Sequence, residues 1–572
     1  MTAYTSVVSG ETTITARGPV RAAAERTLGR LWIDRVPVRL ASEDPELWPS
    51  SAQAAQEGRT LCWPGQPGTS RAVLERIGEL RAAAEEDGLT EVALLGRGTP
   101  ARAADLIVRY FGTPSPGPDA TQPDTGPGAT QPGTTQPGTT GPEAASRPGG
   151  PALTVLDGLE AGLPLRIGRD RERLRRTLVV VTGYDPVTDT LRRIFVRMFG
   201  ELGLAPEEIA RRFVVVAPPG GLPAKKAADA GHALIDAPEP TAFGALSPYA
   251  LVPAGLAGAD VAALLEEATA VLPSLTRPEN NPGLVLGAIL GGAVRDGRET
   301  VVLGGYPALA AGTPGPGLAD WAAPLLAEAT GGRLLPLVQN GGRPVVPADD
   351  LFLVTVGGRP RQDDATISGP PAAQFVVWEY AAAVTAYLLG VDPLRPPDPD
   401  PGEAAPEPAV FVDGDPGQAV EVHTSDPGFA AAPDLPALLE AVVRRAATEG
   451  HLAIVAHLDP DPGSGQGALV GRLAAVLAAR CARPVTVDWG RRRPATGNDR
   501  REKGVYLMMT GNADQDVPIE GRYHWLSLLQ VARALGEVRA AVREGGRPVV
   551  RLHLRDRRAG LARLLESARG GA

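Results

Sequence analysis

The chain is poor in the residues that build disulfide frameworks and metal sites. Its 572 residues include only two cysteines, Cys62 and Cys481, and six histidines. Two thiols are too few for a disulfide framework or a thiolate zinc site. His451 and His457 flank one predicted strand and share a face, but no third ligand lies close to them in the sequence. The sequence therefore predicts no metal.

Lysine, basic excess and long apolar runs are also lacking. The chain has three lysines, so nearly all of its 57 basic residues are arginines. A net charge of −9 argues against nucleic acid as the main partner. No uninterrupted apolar run approaches the length of a membrane span, and the N-terminus has no apolar signal core. We therefore expect a cytoplasmic protein without a membrane partner.

What the sequence does contain is a regular alternation of short apolar strands and amphipathic helices. EVALLGRG, TLVVVTG and RFVVVAPPGG read as strands that end in turns, and helical patterns such as ARAADLIVRYFG and DTLRRIFVRMFGELG follow them. Strands that are apolar on both faces are typical of a parallel sheet covered by helices on both sides. The pattern predicts an α/β fold of two doubly wound αβα domains, joined near residues 250–260.

The composition divides the chain further. Residues 1–60 carry weak patterning and form an N-terminal extension. We place the first domain at 61–255 and the second, with a C-terminal helix, at 256–572. Residues 113–150 form a low-complexity insertion rich in Pro, Gly and Thr, in which TQPGT recurs, and residues 396–408 form a proline-rich loop.

The first candidate site is the turn from Gly96 to Ala101, between a strand and a helix. Gly96 and Gly98 allow a ligand to approach the backbone, and the following helix start offers free N–H groups to an anion. The same string, G-x-G-x-x-A, is the dinucleotide fingerprint, with Asp157 at the end of the next strand as a ribose-binding acid. A phosphate site, an NAD site and a plain structural turn all remain open.

The second candidate is the turn from Thr182 to Thr190, also between a strand and a helix. Its hydroxyls could donate to phosphate oxygens, with backbone N–H groups assisting. Thr188 or Asp189 could equally cap the helix with no ligand at all. The acids Asp185 and Asp189 weaken the phosphate interpretation, because they repel an anion.

Two glutamates stand out by their apolar flanks. Glu328 ends the helix LLAEA before two glycines, where partial desolvation would raise its pKa toward that of a general base. The plainer interpretation is a surface residue of an amphipathic helix. Glu379, inside FVVWEYAAAV, is expected to be a paired structural acid.

The order of several segments gives the chain a family resemblance. The ending KGVYLMMTGNADQDVPIEGRYHW…RPVVRLHL is similar to that of bacterial glucose-6-phosphate isomerases, particularly the short form also found fused to transaldolase. In that family the ending runs as G-V-F-L-Q, D-x-P-I-P-G and R-P-V-L-R-L-H-L. LTVLDG, NPGLVLGAILGGA, LAEATGGRLLPLV and AAQFVVWEYAAAVTAYLLG resemble further family segments in the same order. The matches span roughly residues 90–560.

The resemblance implies a fold, a reaction and a partner. The family fold has two SIS (sugar isomerase) domains, each a mainly parallel sheet between helix layers. Its members interconvert glucose 6-phosphate and fructose 6-phosphate through an enediolate in glycolysis and gluconeogenesis, without metal or nucleotide. The reaction needs a base that moves a proton between C2 and C1 and a donor that holds the oxyanion. Because the family's active site is usually shared across a dimer, the resemblance also implies a homodimer that binds a sugar phosphate.

The family's catalytic and binding residues carry over only in part. The glutamate base of E-S-T-G-K matches Glu328, and Gly332 or Arg333 falls at its lysine. The family's glycine loop G-M-G-G-S-S falls on Gly96, Gly98 and Thr99, and the phosphate loop falls on Thr182, Thr188 and Thr190. Gln530 falls where the terminal helix of related enzymes offers an amide or lysine to the site.

Other family positions have lost the expected residue. The segment 241–247 corresponds to G-G-R-Y-S and has no arginine. The segment 494–498 corresponds to a histidine-containing loop and has no histidine. Arg333, the run Arg491 to Arg493, Lys503 and His524 are the candidates that could replace the missing groups.

Three hypotheses follow from the sequence. The first is a divergent glucose-6-phosphate isomerase with Glu328 as its base. The second is a catalytically weak or inactive sugar-phosphate-binding or regulatory relative. The third is an NAD-binding enzyme that uses the turn at Gly96.

Overall fold

The structure is a computed structural model of the 572-residue chain. It describes residues 5–9, 11–44, 46–48, 53, 56, 61, 65–112, 152–183, 185–305, 317–338, 348–357, 364–394, 402–490, 504–519, 525–545 and 547–570. The predicted insertion at 113–150 lies outside the described residues. So do residues 396–401 of the predicted loop and the candidates Arg491 to Arg493, Lys503 and His524.

Strands and helices alternate along most of the chain. The strands are β1 (Thr5–Ser9), β2 (Thr12–Ala16), β3 (Glu91–Leu95), β4 (Ala152–Leu156), β5 (Thr177–Thr182), β6 (Phe213–Ala217), β7 (Ala233–Asp236), β8 (Thr300–Gly305), β9 (Leu335–Val338), β10 (Leu351–Val356), β11 (Ala365–Ser368), β12 (Phe411–Asp413), β13 (Val420–His423), β14 (Leu452–Ala456), β15 (Val485–Trp489), β16 (Val505–Gly511) and β17 (Val549–Leu554). The helices are α1 (Gly18–Ile33), α2 (Val36–Ala41), α3 (Gln66–Thr69), α4 (Leu74–Glu86), α5 (Gly98–Phe111), α6 (Gly162–Arg169), α7 (Arg171–Arg175), α8 (Pro186–Glu201), α9 (Pro206–Arg211), α10 (Leu222–Asp229), α11 (Pro248–Leu256), α12 (Val261–Leu275), α13 (Pro282–Arg295), α14 (Leu318–Ala329), α15 (Pro371–Leu389), α16 (Pro427–Ala430), α17 (Leu435–Glu449), α18 (Gln466–Cys481), α19 (Leu526–Gly545) and α20 (Arg557–Arg569).

The described strands form three sheets. The first has the order β4-β3-β5-β6-β7, and all of its strands are parallel. The second has the order β1-β2-β11-β10-β8-β9, in which an antiparallel hairpin, β1 and β2, extends a parallel set. The third has the order β12-β13-β17-β16-β14-β15, with an antiparallel pair at one edge. The predicted fold class, α/β with mainly parallel sheets between helix layers, is confirmed.

The arrangement also contains features that the sequence patterns did not predict. The weakly patterned extension supplies β1 and β2, and β2 pairs with β11 from the second half of the chain. The strands that follow residue 300 are divided between two sheets. Periodicity identifies strands, but pairing depends on contacts between segments far apart in sequence, which one sequence does not reveal. The division into two domains at residue 255 stays a prediction.

The first two sheets share one hydrophobic core, and helices α13 and α15 lie within it. Three glycines of α13, spaced four residues apart, face α15 at short range. A Cβ atom on Gly283, Gly287 or Gly291 would lie within 2.6 Å of a side-chain atom of α15. Only glycine allows the two helix backbones to approach this closely, so the glycine face fixes their packing.

Helix α15 is apolar and long enough to cross a membrane by length and composition. Its apolar window is 94% buried inside the protein. A helix that other helices and sheets surround is hydrophobic on all faces because no face meets water. The same is true of a membrane span.

We predict that Gly287→Ala destabilises the protein. The new Cβ would lie 2.5 Å from the Cβ of Val384, a β-branched side chain in a packed core, so the helices must separate. We expect the free energy of unfolding, measured by chemical denaturation, to fall by about 1–3 kcal/mol.

The matched control is Gly471→Ala in α18, an exposed helical glycine with nothing within 4 Å of an added Cβ. Because alanine is the better helix former, this variant should gain up to about 1 kcal/mol. Equal effects of the two substitutions would contradict the proposed role of the glycine face.

Candidate functional site

The two predicted ligand-binding turns lie side by side at one edge of the first sheet. Strands β3 and β5 are parallel neighbours, with Leu95 opposite Val181. Gly96 therefore comes next to Thr182, and a Cβ on Gly96 would lie 2.1 Å from the Thr182 hydroxyl oxygen. Gly98 has a positive φ of 78°, which favours glycine at the start of α5. The structure thus brings Gly96, Gly98 and Thr182 together at the carboxyl ends of the strands, where ligands of such sheets bind.

The segment 241–247 covers the start of α5. The buried hydroxyl of Thr99 donates a hydrogen bond of 2.6 Å to the carbonyl oxygen of Ala242. Gly244 lies against the same helix start, because a Cβ there would lie 2.8 Å from Pro100. The Thr99 hydroxyl therefore holds the covering segment, and its one proton is already used.

The hydroxyls at the start of α8 are also used within the protein. Thr188 accepts a hydrogen bond from the backbone N–H of Asp185 at 3.0 Å, and Thr190 donates to the carbonyl oxygen of Pro186 at 2.7 Å. Both side chains are buried. Neither hydroxyl faces solvent. The turn caps α8 within the protein, but the predicted cap at Thr188 or Asp189 is wrong, because the capping residue is Asp185.

The carboxylate of Asp185 occupies the N-terminus of α8. Its Oδ1 accepts hydrogen bonds from the backbone N–H groups of Val187 at 2.7 Å and Thr188 at 3.1 Å. Its Oδ2 pairs with the Arg97 guanidinium at 3.2 Å, across the gap between the two turns. The protein's own carboxylate thus lies where helix N–H groups, the helix dipole and a cation would otherwise hold an external anion.

The sequence analysis does not predict this ion pair, although the sequence contains a signal for it. Arg97 and Asp185 have opposite charge and occupy the turns that follow two adjacent parallel strands. Strand adjacency was the missing information, because β3 and β5 are separated by more than 80 residues of sequence.

Glu328, the predicted base, lies in the last turn of α14 and its side chain is exposed. The helix itself contacts α5, whose first turn contains Gly98. The catalytic role of Glu328 stays a prediction.

The other two predicted binding residues lie in packed surroundings. The Arg333 guanidinium donates to the carbonyl oxygen of Leu389, the last residue of α15. Gln530 is buried near the start of α19. Its neighbours Leu526 and Leu529 belong to the core on the α8 side of the first sheet. Both residues thus have contacts or burial that fit a structural role. The role of Arg333 and Gln530 in binding stays a prediction.

Glu379 is fully buried in α15 and holds the segment that covers the first turn. Its Oε1 accepts a hydrogen bond of 2.9 Å from the backbone N–H of Ala245, and its Oε2 has no hydrogen-bond partner in the described part of the chain. Burial raises the pKa of this carboxyl to about 8, so it is mostly neutral at pH 7. The expected paired acid therefore has a backbone amide, and not a cation, as its partner.

The geometry that an NAD site requires is present in part. Strand β4 is the parallel neighbour of β3 on the other side, and Asp157 follows it directly with an exposed side chain. The acid thus lies at the same sheet edge as Gly96 and Gly98. The dinucleotide interpretation stays a prediction.

The comparisons with known proteins found similarity in overall structure alone. No protein-family model and no curated protein matches the chain. A crystal structure of a hypothetical protein from Thermus thermophilus is similar with a TM-score of 0.45 and 17% identity, covering 68% of this chain and 94% of that one. A glucose-6-phosphate isomerase from Chlamydia trachomatis is similar with a TM-score of 0.43 and 12% identity, covering 68% of this chain and 86% of that one.

We predict that Glu379 makes the protein less stable as the pH rises. The unfolded carboxyl ionises near its ordinary pKa of 4.5, whereas the folded carboxyl ionises near 8. Between these values the unfolded state has lost a proton that the folded state keeps. The free energy of unfolding therefore falls by up to about 1.4 kcal/mol per pH unit.

Glu379→Gln should remove this contribution, because the amide oxygen can still accept from Ala245 and cannot ionise. Thermal unfolding between pH 5 and pH 8 should show a smaller loss of stability for this variant than for the wild type. The control Glu86→Gln, at an exposed helix position, should keep the wild-type pH dependence. An unchanged pH dependence in Glu379→Gln would contradict the raised pKa.

Proposed function

We propose that this chain is a glucose-6-phosphate isomerase-like protein without hexose phosphate turnover, a non-catalytic regulatory relative of those enzymes in the cytoplasm. The observation that carries the proposal is the Asp185 carboxylate at the N-terminus of α8. The sequence resemblance supports the relation to the isomerases. The geometry of the two turns supports the absence of turnover.

The electrostatics of the turn oppose phosphate binding. A phosphate at the start of α8 needs the N–H groups of Val187 and Thr188, and both already donate to Asp185. It would also meet the negative charge of that carboxylate at short range, in a partly buried place where screening is weak. The Arg97 guanidinium beside this turn is neutralised by the same carboxylate.

The groups needed for isomerisation are also incomplete. The segment 241–247 has no arginine, and Glu379 holds it through a backbone amide. Loss of an oxyanion donor costs about 10²–10³ in rate, and loss of an acid or base costs about 10²–10⁴. Together these losses support a protein that does not turn over the substrate. The proposal includes no metal and no cofactor, and a homodimer as its assembly.

Isomerase activity is the second candidate. The juxtaposition of Gly96, Gly98 and Thr182 at one sheet edge favours it, because a ligand could still approach the backbone there. In that case Glu328 would act as the base that moves the proton between C2 and C1.

We predict negligible conversion of fructose 6-phosphate to glucose 6-phosphate by the purified protein. A coupled dehydrogenase assay should give a kcat/KM at least about 10⁴-fold below that of an active isomerase run in parallel, as expected when one donor and one acid or base are lost. Turnover above that limit would reject the proposal. If Glu328→Gln abolished such turnover, the isomerase candidate with Glu328 as base would be established.

We also predict that Asp185→Ser creates an anion site. Serine can still cap α8, but it removes the negative charge and releases Arg97. Phosphate or fructose 6-phosphate should raise the melting temperature of this variant by a few degrees and leave the wild type unchanged.

The control is Asp434→Ser, which changes a comparable helix cap, because the Asp434 carboxylate accepts from the backbone N–H of Ala437 at 2.9 Å. Its melting temperature should not respond to phosphate. A wild-type response as large as that of Asp185→Ser would show that the carboxylate does not exclude anions.

A further inference from the structure

A cavity of about 250 Å³ opens between α6, α7, α8 and the segment 516–518 that precedes α19. It lies on the α8 side of the first sheet and uses none of the residues of the two turns. Most of its lining is apolar, and its charged members are Arg169, Arg171, Arg197, Glu201 and Asp516.

The walls of the cavity are apolar and largely buried. Leu174, Ile194 and Val517 line it and are each at most 6% exposed. Gly168 leaves room for the side chain of Met198, because a Cβ on Gly168 would lie 3.0 Å from its sulfur. A concave apolar surface with a flexible thioether in its wall suits a compact hydrocarbon group.

The two acids that line the cavity form contacts within the protein. The Arg197 guanidinium pairs with Glu201 at 2.7 Å and donates to the Pro518 carbonyl oxygen at 2.9 Å. The Asp516 carboxylate accepts from the backbone N–H groups of Val517 at 2.8 Å and Ser527 at 2.9 Å. Glu201 is paired with Arg197, whereas the printed partners of the Asp516 carboxylate are neutral N–H and O–H groups, so a carboxylate ligand has to place its charged group away from Asp516.

The two remaining charged residues are basic and exposed. Arg169 and Arg171 lie at the end of α6 and the start of α7. Neither has a carboxylate partner in the part of the chain that the structure describes, and Arg171 donates to the backbone carbonyl oxygen of Glu201 at 3.4 Å. The rim of the apolar cavity thus carries two arginines without an ion-pair partner among the described residues.

We propose that this cavity binds a small amphipathic carboxylate, with a compact apolar body inside and its charged group at Arg169 and Arg171. The apolar walls select the hydrocarbon, and the guanidinium groups match a carboxylate in charge and geometry. The volume limits the ligand to the size of a medium-chain fatty acid or an aryl-alkanoic acid. This site is independent of the proposed loss of isomerase activity.

The test is titration calorimetry of the full chain with octanoate and with 3-phenylpropanoate, which distinguish a linear from an aromatic apolar body. We expect saturable one-to-one binding of at least one of them. Hexanoate should bind more weakly than octanoate by about fourfold for each CH₂ removed. 1-Octanol, which has the same chain without the charge, should bind at least about tenfold more weakly than octanoate.

Three variants locate the site. Gly168→Leu fills the cavity from α6, and Met198→Trp fills it from α8, so binding should be lost in whichever variant keeps the wild-type circular dichroism spectrum. The double variant Arg169→Gln with Arg171→Gln should weaken carboxylate binding at least about tenfold and leave 1-octanol unaffected. The control Arg175→Gln changes an exposed arginine of α7 that does not line the cavity, and it should bind as the wild type does.

Failure of both carboxylates to bind the wild type would overturn the proposal. So would equal binding by a folded cavity-filling variant, or equal affinity for octanoate and 1-octanol. The isomerase assay with fructose 6-phosphate has its own readout, so neither result depends on the other.

Discussion

The close contact between α13 and α15 is the constraint on which the central part of the molecule depends. The glycine face of α13 lets α15 lie deep in the core shared by the first two sheets. A helix in that position cannot keep an ionised carboxylate, so Glu379 is mostly neutral at pH 7 and takes a backbone amide as its partner. Through that bond the packing of the core holds segment 241–247 over the start of α5.

The sheet edge beneath that segment has the backbone geometry of a ligand site, but a carboxylate of the protein itself lies there. Gly96 and Thr182 lie side by side because their strands are parallel neighbours. Asp185 forms an ion pair with Arg97 and accepts hydrogen bonds from the first N–H groups of α8. The threonine hydroxyls at 99, 188 and 190 form hydrogen bonds within the protein. The backbone arrangement of a ligand site is therefore present, while the polar side chains around it bond to one another.

The candidate site was predictable in its parts but not in its chemistry. The turns at Gly96 and Thr182 were found because a strand, a glycine and a helix start follow one another locally. The burial of Thr188 and Thr190 and the exposure of Glu328 depend on which face of a helix meets the sheet. Pairing of Arg97 with Asp185 depends on strand order. The cavity beside α8 includes residues 516–518, more than 300 positions later in the sequence, and no local pattern indicates it.

The sequence by itself determined the alternation of apolar strands and amphipathic helices, because that pattern is a property of neighbouring residues. The cap of α8 is also a local feature, since Asp185 needs only the next three residues to form it, although the sequence analysis placed that cap at Thr188 or Asp189. The tertiary structure alone decided the three sheets, the place of β1 and β2 beside β11, and the neutral state of Glu379. These outcomes depend on segments that are distant in sequence and exclude water only when they pack together. The desolvation of a group therefore cannot be predicted from any one segment.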